Sequence, residues 1–200
     1  MTFRNKSKAV QVSIIAMTAA LYAVFFLLSW ITPVPQFTVL YLPIILLGVF
    51  PFWFGWSGLI GSMIGAYIGG VYVEALPPHL GWVEVTTAIV IYGINWLLIT
   101  RKASEVKTTK GIIILLGVYA LSLFVGTVAI LWQFTLVGLM NTELALVLLL
   151  PTYALNLPIA LIACPTLIRT ISPKLKTMGV YTGTLMEWHS STTIKTKNQN

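Results

Sequence analysis

Aspartate is absent from this 200-residue chain, cysteine occurs once and histidine twice. The single Cys164 excludes a disulfide framework and any cysteine-based metal site. His79 and His189 lie far apart, in a short loop and in the terminal stretch, so no metal-ligand spacing exists and no metal is expected. The sequence contains no Walker loop, and its few glutamates sit at loop edges rather than paired at one depth. Catalysis and nucleotide hydrolysis are therefore not expected, and no cofactor is implied. Charge is the largest deficit: only 8% of residues are charged, against roughly a quarter in soluble domains. A water-soluble fold does not follow from such a composition.

Long apolar runs occupy the remainder. Residues 9–73, 111–142 and 144–168 contain no Lys, Arg, Asp or Glu. A bilayer core of about 30 Å takes roughly 20 apolar residues per helix, so these runs hold about three, one and one crossings, and residues 85–100 add a sixth. The fold class expected is an all-α integral membrane protein, a six-transmembrane-helix bundle. The 12 Lys and Arg against five acids give a net charge of +7, but their placement argues against a nucleic-acid partner. They fall near residues 4–8, 101–110 and 169–197, whereas Glu74, His79, Glu84 and Glu143 fall between. Six crossings put all the basic residues on one face of the membrane, which the positive-inside rule makes the cytoplasm, with both termini there. The first run exceeds the length of a signal-peptide core and is read as helix one.

The helices are expected at about 9–31, 39–54, 57–73, 82–100, 111–139 and 143–168. Prolines at 33 and 35 mark an extended outer loop after helix one. Ser57, Gly61, Gly65 and Gly69 recur every four residues on helix three, a flat face suited to close helix packing. Trp30 and Trp82 read as anchors at the outer boundary, and Trp53, Trp56 and Trp96 as an inner aromatic belt. Residues 1–178 form one transmembrane domain on this reading, and the polar composition of 179–200 suggests a disordered cytoplasmic tail.

A buried polar set carries the functional information. Glu84, Thr87 and Asn95 share one face of helix four. Asn156 lies 13 residues beyond Glu143, roughly 20 Å along its helix, where an unpartnered amide is expensive. It reads either as an interhelical tie, with the carbonyl of Ala154 freed by Pro158 as one partner, or as a ligand contact. Gln133 beside Trp132 offers the same choice. With Tyr92 and Tyr153, these residues are candidates for lining one small-molecule cavity in the outer half of the bundle.

Helix one carries Ala16, Ala19, Ala20 and Ala23, two interleaved pairs of alanines spaced by four. Here the chain resembles the substrate-binding S components of energy-coupling-factor vitamin transporters. Tyr41-Leu42-Pro43-Ile44 opening helix two, the glycine-rich helix three and Tyr153 to Asn156 extend that resemblance over about residues 8–171. The resemblance implies six helices with cytoplasmic termini, and Ala16 and Ala20 docking onto a transmembrane coupling protein driven by two ATPases, with Ala19 and Ala23 flanking. It also implies a lid at residues 32–38 and a vitamin held by Glu84, Asn95, Trp132, Gln133, Tyr153 and Asn156. A structural subunit of a cell-shape-type complex and a stand-alone carrier are the alternatives.

Overall fold

The computed structural model describes residues 7–30, 33–34 and 37–185. Its helices are α1 (Lys8–Ser29), α2 (Pro43–Phe54), α3 (Trp56–Ile68), α4 (Trp82–Leu98), the short α5 (Arg101–Ser104), α6 (Thr109–Leu136) and α7 (Thr142–Thr177). A π-helical turn, Gly69–Val73, prolongs α3, and a 3-10 turn, Pro78–Leu80, precedes α4. The described part is all-helical apart from one antiparallel bridge in which Pro33 faces Thr38 and Val34 faces Phe37. Five of the helical segments are long and apolar enough to cross a membrane: Lys8–Ser29, Trp56–Val73, Pro78–Leu98, Thr109–Leu136 and Thr142–Thr177.

Local chemistry sets the boundaries. Ser7, Thr108 and Asn141 cap α1, α6 and α7 by accepting from the amides of Val10, Gly111 and Leu144. Gly55, at φ 56°, separates α2 from α3 in a conformation that only glycine adopts without strain. Helix α2 has 12 residues, about 18 Å, and begins at Pro43 rather than at the expected residue 39. All of it save Ile45 is buried, as befits a helix that is apolar around its whole circumference. It is the central element, in contact with α1, α3, α4 and α7.

Lipid tails are as apolar as leucine, so close packing and hydrogen bonds rather than water exclusion hold such helices together. The glycine face of α3 meets α1. A Cβ at Gly61 would lie 2.7 Å from the Ile15 carbonyl, one at Gly65 2.8 Å from that of Ala19, and one at Gly69 2.4 Å from the Phe26 ring. Gly126 gives α6 the same closeness to α4, its Cβ position lying 2.4 Å from Ile91. On α7, Thr152, Asn156, Ala160, Cys164, Ile168 and Ser172 recur every four residues as the buried stripe.

Two expectations change. Trp53 and Trp96 are buried rather than placed in a belt, and Trp53 donates its indole N–H to Ser172 at 2.9 Å. Trp56, by contrast, is exposed. The stretch from residue 179, expected to begin a disordered tail, packs on the end of α2 as far as it is described. The amides of Thr182 and Gly183 donate to the Phe52 carbonyl at 3.1 and 2.8 Å. The physical reason is that terminal helix carbonyls need donors, and a buried helix end cannot take them from water. Residues 186–200, with His189, lie outside the described residues, as do Thr32, Pro35 and Gln36 of the expected lid.

Candidate functional site

Because α2 is short, the backbone of residues 39–42 lies ahead of it, joined to its first turn by the Tyr41 and Leu42 carbonyls, which accept from Ile44 and Ile45. Irregular backbone at membrane depth is tolerated only when other groups satisfy it. Asn156 does most of this: its Oδ1 accepts from the Tyr41 amide at 2.7 Å, and its Nδ2 donates to the carbonyls of Val39 at 2.7 Å and Thr152 at 2.8 Å. Ser29 Oγ accepts from the Leu42 amide at 2.9 Å. These bonds tie the segment to α7 and α1. The partners of Asn156 are thus Val39 and Thr152, not the Ala154 carbonyl.

The same segment places Tyr41, whose hydroxyl pairs with that of Tyr22 and donates to Glu84 Oε2 at 3.4 Å. Glu84 and Glu74 are each 2% exposed, and their side chains lie within hydrogen-bonding reach of one another. Glu74 reaches that position through the π-helical turn, where its amide donates back to Gly69, and through Ala75 at φ 56°. Gly70 leaves the room that Glu84 occupies, a Cβ there lying 3.0 Å from Glu84 Cγ. A π-turn followed by a left-handed non-glycine residue is an expensive local geometry, of a kind concentrated at functional sites.

Beside the carboxyl pair lies a cavity of about 30 Å³. Its polar wall comprises Tyr41, Glu74, Glu84, Thr87, Thr127, Thr152 and Asn156, and its apolar wall Ile91, Leu123, Gly126 and Ile130. Thr87 and Thr127 donate to the carbonyls of Val83 and Leu123, one turn back on their own helices. Thr152 is 5% exposed and its hydroxyl has no hydrogen-bond partner. The volume suits one water-sized group and is far below the roughly 300–1,000 Å³ of ordinary ligand pockets.

Of the eight candidate ligand residues, Glu84, Thr87 and Asn156 converge on this cavity. The other five lie elsewhere. Tyr92 donates to the Gly55 carbonyl, and Asn95 donates to that of Leu47 at 3.2 Å, so both tie α4 to the α2–α3 region. Trp132 is 61% exposed on the outside of the bundle. Gln133, its neighbour, accepts from Thr86 on α4. Tyr153 stacks edge-on against Phe124, with its hydroxyl 3.4 Å from the Ala120 carbonyl. Sequence reasoning missed Tyr41, Glu74, Thr127 and Thr152. Thr152 was legible, since it stands one turn before Asn156 on the same face. Glu74 was not, because its inward turn depends on the π-helical geometry.

On α1, Ala16 and Ala20 are exposed, Ala23 is half-buried, and Ala19 is buried against α3. The bundle leaves the first pair unused. Comparison with protein-family models, curated proteins and solved structures finds no match to this chain.

Proposed function

We propose that this chain is the membrane-embedded substrate-capture subunit, or S component, of an energy-coupling-factor-type ABC importer. On this reading it binds a small water-soluble vitamin or related metabolite outside the cell membrane and delivers it through a transmembrane coupling protein and two ATPase subunits. Both termini are cytoplasmic, and the chain itself is not an enzyme. The observation that carries the proposal is the small cavity with a carboxyl pair on its wall beside a segment held by side-chain hydrogen bonds, a roof that can be released without unfolding a helix. The resemblance over residues 8–171 and the unused Ala16–Ala20 face add support, since small residues permit close but reversible helix contacts.

The test is Ala16→Trp and Ala20→Trp, assayed for ligand affinity in detergent and for uptake with the energising module in proteoliposomes. Both residues face away from the bundle, so affinity and thermal stability are expected to stay at wild-type values while uptake is abolished. Unchanged uptake, or lost affinity with assembly preserved, contradicts the proposal. One observation favours a second reading, a structural subunit of a multiprotein assembly: the cavity is only water-sized. Native mass spectrometry of protein purified in mild detergent separates the two, because a capture subunit retains a stoichiometric small molecule and a scaffold does not.

A further inference from the structure

We infer that the cavity receives the cationic, N–H-bearing head of the ligand, a protonated amine; this rests on the capture reading and names its substrate class. The argument is an inventory of hydrogen-bonding capacity. The hydroxyl protons of Thr87 and Thr127 are already given to Val83 and Leu123, so both show the cavity lone pairs only. The Asn156 amide protons are given to Val39 and Thr152, and the Tyr41 proton to Glu84. Among the described residues, no Lys, Arg or His lines the space.

The polar wall of the cavity presents acceptors around two carboxyl groups, with one unpartnered hydroxyl, that of Thr152, itself 5% exposed, while most of the lining is apolar. An anion meets no committed donor there. A neutral hydroxyl supplies one proton to several acceptors. An ammonium supplies three donors and a positive charge in a volume of water size, which matches the about 30 Å³ present. Ile91 and Ile130 on the opposite wall suit the carbon that bears the nitrogen.

The experiment is a thermal-shift titration of the full chain in detergent with matched probes. Ethanolamine, putrescine and 2-(aminomethyl)pyrimidine are set against ethylene glycol, 1,4-butanediol and 2-(hydroxymethyl)pyrimidine, with acetate as the anion. The amines are expected to raise the melting temperature and their hydroxyl partners and acetate to leave it unchanged. Glu84→Gln, which keeps the shape of the site, is expected to remove the amine shift, and Thr152→Val to weaken amine affinity about tenfold. Thr152→Val also serves if Glu84→Gln does not fold. Stabilisation by hydroxyl probes or acetate equal to that by amines overturns the inference, as does an amine shift that survives both substitutions. So does a retained small molecule without an amine, and in each of these cases the capture reading stands. No shift with any probe, with no small molecule retained on purification, removes the capture reading and this inference with it.

Discussion

Replacing Asn156 by leucine tests whether residues 39–42 form a latched roof. The substitution keeps the branching and number of side-chain heavy atoms and deletes three hydrogen bonds of 2.7, 2.7 and 2.8 Å. Thr152 retains the ordinary helical partner of its carbonyl, so two partly buried backbone groups are orphaned, the Tyr41 N–H and the Val39 C=O. At about 1–3 kcal/mol for each fully buried unsatisfied group, roughly 2–6 kcal/mol is the upper bound of the loss. Side-chain hydrogen bonds in membrane proteins run nearer 0.6–1.7 kcal/mol, which places the working value at about 3 kcal/mol. The segment can escape part of this by opening, so the assay must read opening directly. Cys164 is fully buried and supplies no competing thiol, and Val39→Cys provides one in the roof. A bias of about 3 kcal/mol toward the open form raises the labelling rate of that thiol roughly 100-fold, since each 1.4 kcal/mol is a factor of ten. Asn141→Ala is the control: it removes an exposed cap at 2.8 Å on the same helix, costs about 1 kcal/mol and leaves labelling unchanged. Equal labelling in Asn156→Leu and the control refutes the latch.

Three further outcomes follow from the packing. Gly65→Ala puts a methyl 2.5 Å from Tyr22 Cβ and 2.8 Å from a backbone carbonyl, and is expected to destabilise by about 1–3 kcal/mol in denaturant titration. Gly93→Ala and Gly117→Ala meet nothing within 4 Å and are expected to be neutral or to gain up to about 1 kcal/mol; a similar loss at all three sites contradicts the α1–α3 contact. Ser172→Ala strands the buried Trp53 N–H and is expected to cost about 1–3 kcal/mol, with a shift in tryptophan emission. A chain ending at Gly179 is expected to melt below one ending at Leu185, because only the latter supplies the Thr182 and Gly183 amides to α2; identical melting refutes that role for residues 180–185.

The helices were legible because hydropathy reports burial in lipid or protein without distinguishing them, and both give apolar runs. That same degeneracy hid the site. Glu84, Thr87 and Asn95 share one face of α4 as projected and all are buried. Yet one end of that face meets the cavity, and Asn95 meets the α2 backbone at Leu47, since where α2 begins decides which polar groups have neighbours to satisfy. Trp132 and Gln133 were grouped by adjacency, but neighbouring residues on a helix point about 100° apart. One therefore faces outward, while the other pairs with Thr86. A helical wheel gives the face of each helix; it does not give rotation and depth relative to the others.

The short central helix connects these findings. Had α2 run the full length of the bundle, its own hydrogen bonds would have satisfied residues 39–42, and Asn156 would have had no backbone to hold. Its late start places non-helical backbone, held by side chains, next to the Glu74–Glu84 pair, so the groups that hold the roof and those that line the cavity are partly the same, namely Tyr41 and Asn156. On the capture reading, a ligand head that draws Glu84 away from Tyr41 therefore loosens one of the contacts of the roof. On the capture reading that coupling runs in both directions, because a linkage between two binding equilibria is reciprocal: opening the roof with Asn156→Leu is expected to strengthen ligand affinity, since leucine leaves both carboxyl groups in place and the roof contact no longer has to be given up on binding. Unaltered affinity in a variant whose roof labels fast would show that roof and site are independent.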